Sequence, residues 1–409
     1  MKSFSGYLVE EKNVHMEHLE DTILNDGVTG AVQAINFLRS LRDMLAGNSK
    51  KSVNVTIKWD GAPAVFAGRD PRDGKFFVAK KGIFNKDPKV YKTNADIDAD
   101  TSGDLNEKLK LALAELPKLG IDGVIQGDFL FSKNDLREVD IDGKPHITFH
   151  PNTIVYAVPK DSQLAKKILA SRIGVVWHTR YRGESFETMS ASFGEEIASS
   201  LKDVRSVWSV DALYRDVSGT ANFNQEETDR VTNVLSRAGK ILSGLKRPTL
   251  DGISKNEDLL IRVKTFINSK VRSGERIGDT SKFVNDLIKY VHDYYQAEID
   301  KKATPKGKAT WEDKRNAAME YFANTPKSQI VAMFDLYDLI VEAKLMIVRK
   351  MDKAKMIGTF LKTADGYKVT EQEGFVAIDH VGKNAVKLID RLQFSHANFS
   401  PDIQKGWQR

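Results

Sequence analysis

The chain has 409 residues, enough for two or three domains and a sizeable buried core. Its 29% charged and 41% hydrophobic residues are ordinary for a soluble globular protein, and no apolar run reaches the roughly 20 residues that a membrane span needs. The lack of cysteine excludes disulfides, thiolate zinc sites and a cysteine nucleophile. A net charge of +6 permits an anionic partner without requiring one.

The first part of the chain alternates between helical and strand patterns. Residues 15–46 carry apolar side chains at three- and four-residue steps, which predicts a helix whose apolar face packs on the domain that follows. Alternation and turn residues predict strands and a hairpin over 53–93. Further on, the pattern predicts one helix and two strands, over 101–116, 123–130 and 153–158. Residues 1–190 are therefore assigned to a mixed α and β unit.

The pattern becomes helical after about 190. Strand alternation fades there, which predicts a helical module over 191–360 with a solvated linker at Asp300–Lys308. Strand-like alternation returns near 366, so we expect the module to be an insertion and residues 361–409 to complete the sheets of the first part. The expected fold class is α+β, with antiparallel sheets, flanking helices and a large inserted helical domain.

A lysine follows the predicted strand at 53–57, where Asp60-Gly61 can turn the backbone. Lys58-Trp59-Asp60-Gly61 has the form K-x-D-G. A lysine so placed can act as a nucleophile. So short a pattern also occurs by chance, as a β-turn with a solvated lysine, and both interpretations stay open on this motif alone.

A second motif lies near the other end of the chain. Glu373-Gly374-Phe375-Val376-Ala377 joins a carboxylate to an apolar strand, and Lys387 follows in the next apolar segment. A carboxylate and a cation that converge on one pocket suit a phosphate and metal site. Without Lys58 they would be ordinary charges on a strand and a helix; with it they predict covalent nucleotidyl transfer.

These motifs, in this order, resemble those of the covalent nucleotidyltransferase superfamily of ATP-dependent RNA and DNA ligases and mRNA capping enzymes. The aromatic third residue of the Glu373 motif is similar to that of RNA ligases of tailed phages, and the chain as a whole resembles uncharacterised proteins of large tailed phages. The likeness covers roughly 50–160 and 366–392. It implies a ligase-type nucleotidyltransferase fold in which Lys58, Asp60 and Lys387 are catalytic.

The resemblance also implies a site for ATP. Of the two lysines in the second motif, Lys81 is the better candidate to approach the nucleotide; Asp128 would contact the ribose, and Tyr156 would stack on the purine unless it is a core aromatic. The implied nucleotide contacts are Lys58, Gly61, Lys80, Lys81, Asp128, Tyr156, Glu373 and Lys387. Glu373 and Asp60 would hold Mg²⁺ together with the triphosphate.

The implied acceptor is a nucleic acid with 5′-phosphate and 3′-hydroxyl ends. RNA is preferred over DNA because Phe375 is aromatic and because about twenty residues after Lys387 leave no room for the OB-fold of DNA ligases. Basic residues of the helical module would grip the phosphate backbone, unless they form a solvated helix face. They are Arg262, Lys264, Lys270, Arg272 and Arg276.

Two departures from the family pattern keep alternatives open. Pro63 stands near the position where DNA ligases carry arginine, and Ile389 replaces a second lysine, for which Lys383 or Arg391 could substitute. The alternatives are a phage nucleic-acid-binding or virion-associated protein with a degenerate nucleotidyltransferase fold, or a nucleotidyltransferase with an acceptor other than nucleic acid. We expect no membrane partner and a cytoplasmic protein, in the host cytoplasm if phage-encoded. Three histidines are interpreted as structural: His146, His150 and His178.

Overall fold

Strands are concentrated in the first half of the chain and near its end, and helices fill the part between them. The computed structural model describes residues 17–48, 54–214, 221–354, 357–378 and 385–407. The fold is mixed α+β with mostly antiparallel sheets, as the sequence predicts. None of the helices in these ranges is long and apolar enough to cross a membrane.

The strands and helices of the described ranges are numbered in chain order. The strands are β1 (Asn54–Lys58), β2 (Ala64–Arg69), β3 (Phe76–Ala79), β4 (Val124–Ser132), β5 (Arg137–Ile141), β6 (Lys144–Phe149), β7 (Ile154–Pro159), β8 (Ile173–Arg182), β9 (Ser190–Phe193), β10 (Val207–Asp211), β11 (Gly358–Thr363), β12 (Gly366–Val369), β13 (Gly374–Ile378) and β14 (Ala385–Leu388). The α-helices are α1 (Thr22–Leu45), α2 (Asn94–Asp100), α3 (Gly103–Glu115), α4 (Gln163–Ala170), α5 (Gln225–Gly244), α6 (Arg247–Ser254), α7 (Glu257–Arg272), α8 (Thr280–Asp300), α9 (Pro305–Asn324), α10 (Lys327–Met351) and α11 (Arg391–Phe399).

The strands form three sheets. A six-stranded sheet has the order β10-β8-β4-β2-β3, with β9 also on β8 and with β10 parallel to β8. A five-stranded antiparallel sheet has the order β12-β11-β7-β6-β5, and a three-stranded antiparallel sheet has the order β1-β13-β14. The strands that follow the helices therefore pair with strands that precede them, at β7 and at β1.

Helix α1 packs on the other helices. Its buried residues, among them Ile23, Leu38 and Leu41, share one core with α5 to α10 and with Val55 and Phe375 of the three-stranded sheet. This face was predicted to pack on the domain that follows; it packs mainly on α5, α6 and α10, and it reaches that domain only at the three-stranded sheet. Helix α10 is buried on most of its sides and therefore needs packing partners on more than one face, and α1 is one of these partners.

The helical part starts later than predicted and is less interrupted. Residues 190–211 add β9 and β10 beside β8, and among the described residues the next α-helix after α4 is α5. Most of the predicted linker is helix, because Thr304 caps α9 by accepting a hydrogen bond from the Gly307 N–H at 3.1 Å. Pro305 occupies the first turn, where its missing N–H removes no helical hydrogen bond.

A buried ion pair joins the segment before α1 to α10. Lys344 Nζ lies 2.8 Å from both carboxylate oxygens of Glu20, and neither side chain is more than 1% exposed. Beside it, Asp21 accepts hydrogen bonds from Arg391 and from the Tyr337 hydroxyl, each at 2.9 Å. Since a buried charge without a partner is strongly destabilising, this cluster fixes three distant segments to one another.

We expect Lys344→Ala to lower the free energy of unfolding by about 3 kcal/mol, because it removes the closest partner of the buried Glu20. The exposed pair Lys289–Asp293 supplies a control, and Lys289→Ala should leave the free energy of unfolding nearly unchanged because a solvent-exposed ion pair contributes little. Urea unfolding of the three proteins measures both values. Equal losses in the two variants would contradict the prediction.

Candidate active site

The two motifs meet on the three-stranded sheet. β1 and β13 pair so that Lys58 lies opposite Gly374, and Lys58 Nζ forms an ion pair with the Glu373 carboxylate. Gly374 has φ +140°, and a Cβ there would stand 2.8 Å from the Leu388 carbonyl oxygen, so only glycine fits beside Glu373. Lys58 and Glu373 are thus brought together by backbone pairing, although they come from opposite ends of the chain.

Lys387 joins the same sheet through β14. It lies opposite Val376, which in turn lies opposite Thr56, so alternation places Lys387 and Lys58 on the same face. Burial lowers the pKa of Lys387, and the positive charges of Lys58 and Lys81 lower it further. The structure therefore groups Lys58, Glu373 and Lys387.

The lysine pair that the resemblance implies near Lys387 is not reproduced by its neighbours. Ile389 is buried, and the Arg391 guanidinium is held by Asp21 at 2.9 Å. Lys383 lies outside the described residues. Neither Ile389 nor Arg391 therefore supplies a second cation beside Lys387.

The structure gives Asp60 a structural role. Its carboxylate accepts hydrogen bonds from the Asn152 side chain at 2.6 Å and from the backbone N–H groups of Thr153 and Ile154 at 2.6 and 2.7 Å. Its own N–H donates to the Tyr156 hydroxyl at 2.7 Å. Asp60 is buried, and a carboxylate that accepts three N–H groups has little capacity left for a metal ion. The role of Asp60 as a metal ligand therefore stays a prediction, and these contacts do not favour it.

Tyr156 is a core residue, which corrects its assignment to the purine. It is 2% exposed, and its ring stacks on Phe149 with centroids 5.3 Å apart and lies 5.0 Å from the ring of Trp59. β7 is an inner strand of the five-stranded sheet, and the side chains of that face close on those of the six-stranded sheet. No face of the ring is left for a base.

Asp128 lies close to Lys58. A Cβ on Gly61 would be 2.5 Å from the Asp128 Cβ, so the glycine of K-x-D-G allows this loop to lie against β4. Burial raises the pKa of Asp128 to about 7, Lys58 opposes that rise, and Glu373 adds to it. Asp128 thus shares one electrostatic environment with Lys58 and Glu373.

The two lysines after β3 point in different directions. Lys80 Nζ lies 3.0 Å from the Asp100 carboxylate and 5.8 Å from the centre of the Tyr91 ring. Lys81 is exposed, and its charge lowers the pKa of both Asp128 and Lys387. Lys81 therefore remains a candidate nucleotide contact, whereas Lys80 is held by Asp100.

His178, which was predicted from the sequence to be a structural residue, lies in this cleft. Its Nε2 lies 3.9 Å from the Asp128 carboxylate, and its Nδ1 lies 2.7 Å from the Thr179 hydroxyl. Burial, with a further effect of Lys58, lowers the pKa of His178 to about 4, so the ring is neutral at pH 7. Strand alternation is a poor sequence signal for this placement, because the pairing of β8 with β4 shifts register at His178.

Most of the basic residues proposed for nucleic acid have partners within the chain. Arg272 is exposed. The other four contact an acidic or aromatic side chain: Arg262 on Tyr294 at 4.2 Å, Lys264 on Glu17 at 2.8 Å, Lys270 on Glu275 at 3.0 Å, and Arg276 on Asp390 at 3.0 Å. The acidic partners weaken the positive field of this surface.

Asp60→Asn is expected to lower the free energy of unfolding by about 2 kcal/mol at pH 8, because an amide cannot accept all three N–H groups and turns its own donor toward them. Chemical unfolding measures the loss, and Asp128→Asn in the same cleft is the matched variant. A stable Asp60→Asn protein with weakened Mg²⁺ binding would instead support Asp60 as a metal ligand.

Asp128→Asn is expected to stabilise the protein at pH 8, on the order of 1–3 kcal/mol. The raised pKa of Asp128, about 7, means that the folded state binds this proton more tightly than the unfolded state. The contribution of the carboxyl to stability is therefore greatest below pH 4 and is lost as the pH rises to 7. Unfolding of both proteins at pH 5 and pH 8 checks the sign, with the exposed Asp122→Asn as control. A gain that is larger at pH 5 would contradict it.

Comparison with known proteins shows a match along nearly the whole chain. No curated protein and no solved structure shows significant similarity to it. A family model, described as DUF6267, a family of unknown function, matches residues 13–403. Because that match spans more than half of the chain, the protein belongs to the DUF6267 family.

Proposed function

We propose that the protein is an ATP- and Mg²⁺-dependent polynucleotide ligase that acts through a covalent Lys58-AMP, with RNA preferred over DNA. The fold in this proposal is that of a ligase-type nucleotidyltransferase with an inserted helical domain. The observation that carries it is the meeting of the two motifs. Lys58 on β1 forms an ion pair with Glu373, and Lys387 lies on β14, which is separated from β1 by β13 in the same sheet. A chance K-x-D-G turn has no reason to meet a carboxylate and a second lysine from the far end of the chain.

In the first step the Lys58 amine attacks the α-phosphorus of ATP. The Nζ lone pair forms the P–N bond, the bond to the bridging oxygen breaks, and pyrophosphate leaves. The amine must give up a proton, and the Glu373 carboxylate is the base in contact with it. Because burial raises the pKa of Glu373 to about 7, this carboxylate is matched to proton transfer near neutral pH. The cations Lys387 and Lys81 balance charge on the phosphates.

The residues fit Mg²⁺ if the nucleotide shares in its binding. No group of three or more metal-ligating side chains occurs in the described part of the chain, and Mg²⁺ is ordinarily held by one or two carboxylates plus phosphate oxygens and waters. Glu373 would hold one of the waters of the ion beside the triphosphate, since its carboxylate also takes the Lys58 proton. When bound, the ion neutralises charge as pyrophosphate leaves.

The acceptor takes part in the later steps. A 5′-phosphate oxygen attacks the lysyl-AMP phosphorus and releases the amine of Lys58; a 3′-hydroxyl then attacks the activated 5′-phosphate, and AMP leaves as the phosphodiester forms. Arg272 and the half-exposed Arg276 would contact the strand. Surface ion pairs such as Arg276–Asp390 are worth little, so phosphates can replace their acidic partners.

A second candidate keeps Lys58-AMP but delivers it to an acceptor other than nucleic acid. The observation that favours it is the internal pairing of most of the basic residues assigned to the strand. A nucleic-acid-binding or virion-associated protein with a degenerate site is disfavoured by the grouping of Lys58, Glu373 and Lys387.

The test is incubation with α-labelled ATP, GTP or NAD and Mg²⁺, followed by denaturing electrophoresis. We expect label on the wild type with ATP, stable to alkali and labile to acid as a P–N bond is, and none on Lys58→Ala, because that variant lacks the amine that would carry the adduct. Lys75→Ala, at an exposed lysine of the β2–β3 turn, is the matched control and should label normally.

Isolated labelled protein is then chased with RNA or DNA strands that carry 5′-phosphate and 3′-hydroxyl ends. Transfer of label to a strand supports ligation, and faster transfer to RNA supports the acceptor preference. Stable label that no strand removes moves the second candidate to first place. Absence of label with every donor, on folded protein free of prebound nucleotide, rejects covalent nucleotidyl transfer.

A further inference from the structure

The outer side of β14 is held by the segment that precedes α1. β14 is an outer strand of the three-stranded sheet, and the Lys387 N–H donates a hydrogen bond to the Glu17 carbonyl oxygen at 2.9 Å. His18 and Lys387 form an isolated parallel β-bridge at the same place. The backbone that carries Lys387 is therefore held by β13 on one side and by Glu17 and His18 on the other.

Glu17 is tied in turn to helix α7. Its carboxylate lies 2.8 Å from Lys264 Nζ, and the same amine donates to the Asn25 side chain at 3.3 Å. The buried ion pair between this segment and α10 anchors it further. Lys264 on α7 is therefore linked to Lys387 on β14 through a single residue, Glu17.

The charge of Glu17 also acts on Lys387. The amine of Lys387 faces two cations and two carboxylates from four parts of the fold: Lys58 on β1, Lys81 after β3, Glu373 before β13, and Glu17. Burial lowers the pKa of Lys387, the two lysines lower it further, and the two carboxylates oppose them. Burial also lowers the pKa of the adjacent His18 to about 3, so its ring is neutral at pH 7. Glu17 is thus a carboxylate from outside the two motifs that acts on Lys387, and it shares its charge with Lys264.

We infer that Glu17 and Lys264 are positioning residues for Lys387, and that the helical part sets through them the place and the charge of this lysine in the cleft. The inference rests on the proposed function, in which Lys387 balances charge on the phosphates. Because Glu17 divides its attraction between two amines, Lys387 holds its proton less tightly than it would beside an unpaired carboxylate. Lys264 then serves the site from within the chain, and a nucleic-acid phosphate at Lys264 would compete with Glu17.

The two positioning residues should have opposite effects on Lys387. Glu17→Gln removes a negative charge and should lower the pKa of Lys387, whereas Lys264→Met leaves Glu17 unpaired and should raise it. A merely structural role would change both variants in the same direction, because each breaks the same ion pair. Lys264→Met should have a smaller effect in the Glu17→Gln protein than in the wild type, since the carboxylate through which it acts is gone.

The experiment measures the proton affinity of Lys387 without any nucleotide. The full chain is treated with a trace of acetic anhydride between pH 7 and pH 10, and mass spectrometry gives the relative acetylation rate of the half-buried Lys387, whose neutral amine is the reactive form. At pH 8 we expect Glu17→Gln to raise this rate about twofold or more, and Lys264→Met to lower it by a similar factor. Lys264→Arg, which keeps the ion pair, should stay close to the wild type.

Another ion pair of α7 supplies the matched control. Asp258 on α7 lies 3.0 Å from Lys314 on α9, and Asp258→Asn and Lys314→Met should leave the rate at Lys387 unchanged. Thermal unfolding establishes that each variant is folded, which is expected because the side chains of Glu17 and Lys264 are 42% and 24% exposed. Shifts of the same sign in Glu17→Gln and Lys264→Met, or no shift in either, overturn the inference.

Labelling with α-labelled ATP then connects this charge to the reaction. Because the phosphates require a protonated Lys387, the fall of the Lys58 labelling rate at alkaline pH should begin at a lower pH in Glu17→Gln and at a higher pH in Lys264→Met. If acetylation shifts as expected but no donor labels the wild type, the link from Lys264 to Lys387 is supported and the proposed function alone fails. If the wild type labels but the acetylation rates do not move, the proposed function stands and the inference fails.

Discussion

The antiparallel pairing of β1 with β13 is the constraint on which the candidate site depends. It sets Lys58 opposite Gly374, so the lysine at the end of one strand meets the glutamate that precedes the other. β14 continues the sheet and adds Lys387 on the face of Lys58. A shift of one residue in this register would turn Lys58 to the opposite face, so the backbone hydrogen bonds of a small sheet position the nucleophile and its partners together.

The other face of that sheet explains why so much of the chain is helical. Val55, Phe375 and Ala377 belong to the core formed by α1 and α5 to α10, while Thr56, Lys58 and Lys387 alternate to the other face. The apolar face of a sheet must be buried against another layer of structure. The helices supply that layer, and the buried pair of Glu20 with Lys344 fixes the segment before α1 to them. The helical part thus supports the site whether or not it also binds an acceptor.

The buried carboxyl groups of the cleft destabilise the folded state when they are ionised, but their raised pKa values suit proton transfer near neutral pH. Burial raises the pKa of both Asp128 and Glu373 to about 7, and nearby lysines only partly offset that rise. Strongly shifted carboxyls in a cleft are typical of functional sites. By contrast, the carboxylate of Asp60 is satisfied by three N–H groups and orders the loop that follows Lys58. Asp60 and Asp128 are the same kind of side chain, and they differ in the hydrogen-bond donors that the surrounding residues offer them.

Local patterns in the sequence are sufficient for the mixed α+β class and for the strand that ends at Lys58, because alternation and turn residues act over a few positions. They also suggested that the K-x-D-G and E-G-F-V-A segments act together, and β1 and β13 do lie side by side. What only the tertiary structure decided depends on contacts between segments far apart in the chain. Asp60 orders its loop because Asn152 and Thr153 donate hydrogen bonds to it. Tyr156 is a core residue because the five-stranded sheet packs around its ring. His178 lies near Asp128 because β4 and β8 are neighbouring strands. A sequence pattern records which side chains alternate, whereas the surroundings of each side chain are set by which strands pair, and that is decided by the packing of the whole chain.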